Sequence, residues 1–123
     1  MTLFWDNQRP TVQMLGRWQP WHDGHLALFK RAHAKTGQVA VMVRDVGGTR
    51  DNPFDWDDVR MRIIDRLTEA GYTHQRDFMV LLVPNIVNIT YGRDVGYKIE
   101  QEVFDDSIHS ISATKIRKQM GIE

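Results

Sequence analysis

One segment, Gly16-Arg17-Trp18-Gln19-Pro20-Trp21-His22-Asp23-Gly24-His25, constrains the fold of this chain more than any other. It follows an apolar run that predicts a strand over 11–15 and precedes a helical pattern over 24–35. His22 and His25 therefore fall at the start of a helix, where unpaired amides and the helix dipole attract anions. Because imidazoles at i and i+3 can donate to the same anion, the segment predicts a phosphate cradle.

The rest of the chain alternates strand and helix patterns, which predicts one α/β, Rossmann-like domain. We expect a parallel sheet of about five strands with helices on both faces. Ligands bind such sheets at the carboxyl ends of the strands, where the loops 16–25, 44–55 and 92–96 are expected to lie. The predicted elements after the first helix are strands over 38–43, 78–83, 86–91 and 97–103, a helix from Asp55 or Asp57 to about Ala70, and a last helix over 112–120.

Length, charge and cysteine content exclude several classes of protein. The 123 residues suffice for one domain, predicted over 11–123 after an arm over 1–10 that either packs on the domain or contacts a second copy. Sixteen basic and sixteen acidic residues cancel, so no broad nucleic-acid-binding surface is expected. No cysteine, apolar leader or long apolar run is present, so we expect a cytoplasmic protein that does not bind membranes.

Two motifs and a third, looser match resemble those of one enzyme family. The segment 16–25 is similar to the G-R-[FW]-Q-P-x-H-x-G-H signature of the nucleotidyltransferases with an H-x-G-H motif. Residues 111–117, Ile-Ser-Ala-Thr-Lys-Ile-Arg, are similar to the I-S-x-T-x-[IV]-R motif that closes the same site. Asn52-Pro53-Phe54 matches a third family segment, although the arginine after it, Arg60, sits one residue late. The chain most resembles the archaeal-type nicotinamide mononucleotide adenylyltransferases.

The resemblance implies transfer of a nucleotide from a triphosphate to a phosphate monoester, with release of pyrophosphate. It implies a Mg²⁺ ion held by substrate oxygens and water, with no metal ligand from the protein. It also implies that Ser112, Thr114 and Arg117 hold the β and γ phosphates. The full set of implied residues is His22, His25 and Arg117 for catalysis, and Gly16, Arg17, Gln19, Gly24, Ser112 and Thr114 for nucleotide binding.

Four further residues are candidates for the acceptor's phosphate or base: Arg44, Arg50, Arg93 and Asp94. Arg50 lies near a family arginine that contacts substrate phosphate, and a plain turn explains Arg93 and Asp94 equally well. Trp18 is expected in the core, where it would anchor the loop. A zinc site is not expected, because two histidines without a third ligand bind zinc poorly.

Three hypotheses about function remain open from the sequence. The Gly-Arg-x-Gln-Pro loop favours ATP as the nucleotide, with nicotinamide mononucleotide as one acceptor. The short stretch over 92–110 trims the acceptor region and resembles the small cytidylyltransferases, which use CTP and a small phosphorylated alcohol. The third hypothesis is a nucleotide sensor or partner subunit without catalysis.

Overall fold

The computed structural model describes residues 4–93, 96–104 and 113–121. Among these, no helix is both long and apolar enough to cross a lipid bilayer. The elements lie close to their predicted positions in the first two thirds of the chain. They are β1 (Val12–Gly16), α1 (Asp23–Thr36), β2 (Val39–Arg44), α2 (Trp56–Glu69), β3 (Phe78–Val83) and α3 (Ala113–Gln119).

Local sequence signals explain the ends of the two long helices. His22 is the N-cap of α1, and Gly37 ends it with φ 78°, a left-handed conformation that glycine adopts without steric cost. Asp55 is the N-cap of α2, where its carboxylate accepts a hydrogen bond from the amide of Asp58. Both helices therefore start at the side of the sheet where the preceding strand ends.

The sheet is parallel, with the strand order β1-β2-β3. Val12, Val39 and Phe78 lie side by side in register, as do Met14, Val41 and Val80. These residues share one face, and the buried side chains of α1 and α2 join them in a single core cluster. Right-handed crossovers in this order place both helices on that face. The other face of the sheet, which carries Ala40 and Met42, is only partly buried. Since α1 and α2 lie on the same face, the prediction of helices on both faces is wrong for these two helices.

The prediction of about five strands is wrong for the described residues, which form three. Neither 86–91 nor 97–103 pairs with a strand, although both carry the alternating apolar pattern of one. Their large apolar side chains stay in solvent; Val87, for example, is 79% exposed. Strand formation needs a neighbour's backbone as well as propensity, and these segments have none here.

The segment 97–104 is held by side chains instead of by sheet hydrogen bonds. Lys35 of α1 contacts Glu102 at 2.6 Å and Glu100 at 3.3 Å. Arg31 of α1 donates to the carbonyl of Val103 at 2.9 Å. The polar side of the alternating pattern thus faces α1, which leaves its apolar side uncovered.

The described part of the arm, from Phe4 to Pro10, is tied to the start of β2 by one buried glutamine. Gln38 is fully buried, and its Oε1 accepts from the amide of Asp6 and from the guanidinium of Arg9. Its Nε2 donates to the carbonyl of Asp6 and to Oγ1 of Thr11. This network lies at the amino ends of the strands, opposite to the loop over 16–25.

Candidate active site

His22 and His25 cap the first turn of α1 and each other. Nδ1 of His22 accepts from the amides of Gly24 at 3.0 Å and His25 at 3.4 Å. The amide of His22 donates to Nδ1 of His25 at 3.1 Å, which completes a reciprocal capping box. Two helix-start amides that we expected to face an anion are therefore already bonded to a side chain.

These bonds assign the ring protons of both histidines. Since Nδ1 is the acceptor in each ring, the proton of a neutral ring lies on Nε2. The rings stack with their centroids 3.6 Å apart and 16° between their planes. With Nδ1 engaged in each ring, each of the two stacked rings keeps one Nε2–H donor for a ligand. The site thus offers an anion a pair of imidazole donors.

Burial keeps both imidazoles neutral at physiological pH. Desolvation, together with a smaller effect of the neighbouring His22, lowers the pKa of His25 to about 3. Desolvation also lowers the pKa of His22, against the opposing charge of Asp23. Neutral rings donate through Nε2 without the cost of burying two adjacent cations.

Two tryptophans produce the burial of His25. Trp18 meets the His25 ring edge-on at 4.7 Å between centroids, and Trp21 lies at 5.4 Å. Trp18 is 7% exposed, which confirms that it belongs to the core. Trp21 is buried in the same cluster.

Trp18 also explains the glycine at the end of β1. A Cβ on Gly16 would lie 2.7 Å from the Trp18 indole, closer than packed atoms approach. Nε1 of Trp18 donates to the carbonyl of Met42 at 3.1 Å, which fixes the ring over β1 and β2. Gly16 therefore leaves space for the Trp18 indole, independently of any contact between Gly16 and a nucleotide.

The side chain of Gln19 faces the protein. It is 3% exposed, and it makes two hydrogen bonds with the main chain of Phe54. Its Nε2 donates to the Phe54 carbonyl and its Oε1 accepts from the Phe54 amide, both at 2.9 Å. These bonds join the loop over 16–25 to the Asn52-Pro53-Phe54 segment. The motif match at 52–54 did not predict this contact.

Arg117 joins the same loop from the far end of the chain. Its Nη1 donates to the main-chain carbonyl of Gln19, across 98 positions of sequence. The motif over 111–117 thus meets the motif over 16–25 through a described contact. Ser112 lies outside the described residues, and for Thr114 only the helical backbone is described.

The remaining candidates are Arg17, Arg44, Arg50, Arg93 and Asp94. Arg17 and Arg50 are exposed and have no hydrogen bond or ion pair with any other described residue. Arg44 donates twice to Oδ1 of Asn85, at 2.8 and 3.2 Å, so its guanidinium is partly engaged. Arg93 is exposed, and Asp94 lies outside the described residues. Of these five candidate residues, Arg17 belongs to the histidine loop itself.

No protein metal site is found within the described ranges, where no three histidine or acidic side chains cluster as ligands. The cradle itself offers hydrogen-bond donors and lacks a group of carboxylates. Mg²⁺ prefers several oxygen ligands and keeps much of its water. These residues therefore suit an anionic ligand, and a divalent ion would enter the site bound to that ligand.

Fold and site together define a class: a parallel α/β domain in which a loop with two stacked histidines joins a strand to a helix at the carboxyl edge of the sheet. In comparisons with known proteins, no family model matches the chain. The chain is 23% identical over 114 residues to a nicotinamide-nucleotide adenylyltransferase from Methanococcus aeolicus. The match covers 84% of this chain and 66% of the relative, so the chain spans just under two thirds of that protein's length. This weak similarity supports the nucleotidyltransferase superfamily.

Proposed function

We propose that this protein is a nucleotidyltransferase that transfers AMP from ATP to a phosphate monoester and releases pyrophosphate. One observation carries the proposal: Arg117 reaches the main chain of the same loop that presents the paired Nε2–H donors of His22 and His25. A cation from near the end of the chain thus contacts the loop that carries the two neutral donors. A polyphosphate is the ligand whose length and charge suit that combination.

The reaction needs little covalent chemistry from the protein. An oxygen of the acceptor phosphate attacks the α-phosphorus of ATP, the bond to the bridging α–β oxygen breaks, and pyrophosphate leaves with that electron pair. The acceptor is largely a dianion at neutral pH, because the second pKa of a phosphate monoester is about 6. No general base is therefore required, and the protein contributes positioning and charge stabilisation.

Each residue has a distinct part in this scheme. His22 and His25 donate from Nε2 to the α-phosphate and the bridging oxygens, where negative charge builds as the bond breaks. Arg117 lies alongside the β and γ phosphates, and Arg17 supplies a second, solvent-reachable cation. The substrate is ATP with its bound Mg²⁺, which neutralises phosphate charge and is held by phosphate oxygens and water. Ser112 and Thr114 are proposed to add donors to the pyrophosphate.

The acceptor that we propose is nicotinamide mononucleotide. The name of the Methanococcus aeolicus relative supports it, as does the Gly-Arg-x-Gln-Pro loop shared with that family. Arg50 and Arg93 are proposed to meet its phosphate, with Arg44 and Asp94 near by. We further propose that the protein works in the cytoplasm on small molecules, without nucleic acid or membrane.

Pyrophosphate release by the purified full chain tests the proposal. ATP or CTP is supplied with Mg²⁺ and with nicotinamide mononucleotide or glycerol phosphate, and each triphosphate alone is the blank. We expect release with ATP and nicotinamide mononucleotide, together with formation of the dinucleotide. Turnover only with CTP and glycerol phosphate would make the protein a cytidylyltransferase. ATP binding in calorimetry without turnover of any pair would indicate a sensor.

A further inference from the structure

One side chain outside the histidine pair links the parts of the site that lie far apart in sequence. Gln19 makes both of its amide hydrogen bonds with Phe54, 35 positions away, and both partners are buried. Its own main-chain carbonyl accepts from Arg117. The loop over 16–25, the segment over 52–54 and α3 therefore meet at this single residue.

We propose that Gln19 is a positioning residue, which fixes the histidine cradle relative to the Phe54 segment and Arg117. This proposal rests on the proposed adenylyl transfer. The side-chain amide of Gln19 and the main chain of Phe54 each provide one hydrogen-bond donor and one acceptor, as two paired peptide groups do. Both residues are buried away from water, so their hydrogen-bonding groups have no alternative partner. The loop over 16–25 and the segment over 52–54 are therefore held at a fixed distance from each other.

The residues around Gln19 and Phe54 are closely packed. Phe54 is 6% exposed, and the guanidinium of Arg62 lies 4.5 Å from the centre of its ring. A Cβ on Gly47 would lie 2.4 Å from the Phe54 carbonyl oxygen, so that glycine gives the carbonyl its space. The segment is thus packed closely on two sides, so we expect a change at Gln19 to move the histidine loop instead.

Positioning differs from ligand contact in its kinetic signature. A residue that orients reacting groups acts mainly on the rate constant, because small misplacements cost much of the rate. A residue that touches ATP changes the affinity for ATP as well. Since the Gln19 side chain faces Phe54, we expect the first pattern.

Two variants remove the Phe54 contacts in steps. Gln19→Glu keeps the acceptor for the Phe54 amide and loses the donor to its carbonyl. Gln19→Met keeps the length of the side chain and loses both. The matched control is Gln13→Glu, the same chemical change at an exposed position of β1.

We expect kcat to fall about tenfold in Gln19→Glu and about 100-fold in Gln19→Met, with KM for ATP changed less than about threefold. Gln13→Glu should match the wild type. All rates are taken at a temperature where circular dichroism shows each variant folded. Unchanged kcat would overturn the proposal, and so would a loss of ATP affinity in step with kcat, which would make Gln19 a nucleotide contact.

Amide hydrogen exchange tests the positioning without any turnover. In Gln19→Met we expect exchange to accelerate at least about tenfold both at Phe54 and at Gly24, whose amide belongs to the cradle. Acceleration at Phe54 alone would show that the contact does not hold the cradle, and the proposal would fall. If the wild type turns over no substrate pair, the proposed function fails, while this exchange pattern still decides the role of Gln19.

Discussion

His22 and His25 combine two properties that usually exclude each other, burial and a ring N–H that the helix cap leaves available. The capping bonds occupy Nδ1 of each ring, so the proton remains on Nε2. The two tryptophans beside His25 remove water, which lowers its pKa and keeps the ring neutral. In the proposed function, the pair is therefore already arranged for the phosphate groups of ATP.

Removal of the His25 ring should abolish most of the activity and leave the fold intact. In His25→Ala, we expect turnover to fall by about 10² to 10³, as for other donors to a developing charge. Pyrophosphate release and circular dichroism measure the two effects. His74→Ala, at a histidine next to β3, is the matched control and should keep its activity. Near-normal turnover in His25→Ala would remove this residue from the mechanism.

Burial of His25 should also make the fold sensitive to acid. Its pKa is about 3 in the folded chain, against about 6.5 when unfolded, so only the unfolded chain binds this proton between those values. Stability is complete above about pH 6.5 and falls on acidification toward pH 3, by up to about 1.4 kcal/mol per pH unit. Urea unfolding should show a shallower loss between pH 6.5 and 4.5 in His25→Gln. Equal pH slopes in both proteins would contradict this prediction.

Among the secondary-structure elements, α3 contributes the most distant part of the site. It spans Ala113–Gln119, and Arg117 brings its guanidinium to the carbonyl of Gln19. The loop before α1 and the helix α3 therefore form one site only when the whole domain is folded. In the proposed function, each element by itself presents too few donors for a triphosphate.

Arg117 should bind the leaving pyrophosphate rather than the acceptor. We expect Arg117→Ala to lower kcat and weaken ATP binding, each by about tenfold or more, with the acceptor's apparent affinity nearly unchanged. Arg117→Lys should recover part of the loss, because an ammonium cannot make the forked contact. Lys118→Ala, at the exposed next position, is the control. Steady-state kinetics with both substrates varied would reverse the assignment if only acceptor binding weakened.

In the molecule as a whole, the two ends of the strands have separate tasks. The carboxyl ends carry the cradle and the arginines, and the amino ends carry the Gln38 network that ties down the arm. Stability can therefore be changed at one edge of the sheet without touching the other. This separation gives a direct test of the role of the arm.

Gln38→Met should destabilise the fold and leave the site intact. The change keeps the length of the side chain and removes all four of its side-chain hydrogen bonds. We expect the free energy of unfolding to fall by about 2 to 4 kcal/mol, because buried partners lose their hydrogen bonds. Urea unfolding measures the loss, and ATP affinity at a permissive temperature should stay within about twofold of wild type. A change of under about 0.5 kcal/mol in the free energy of unfolding would show that Gln38 does not hold the arm on the domain.

The sequence determined those features that depend on neighbours along the chain. The periodicity of apolar residues predicted all three strands of the sheet and both long helices, and Gly37 and Asp55 marked where those helices end or begin. The spacing of His22 and His25 predicted a shared site at the start of α1. Such patterns can be recognised in the sequence because the geometry of helices and strands repeats every few residues.

Only the tertiary structure decided the features that join distant residues. The segments 86–91 and 97–103 have the alternation of strands but no strand neighbour among the described residues, so propensity alone did not make them strands. Gln19 was predicted to touch a nucleotide, and the fold turned its side chain to Phe54. The capping amides of α1 went to His22 instead of an anion. A side chain's partner depends on which segments pack beside it, and local sequence does not specify that packing.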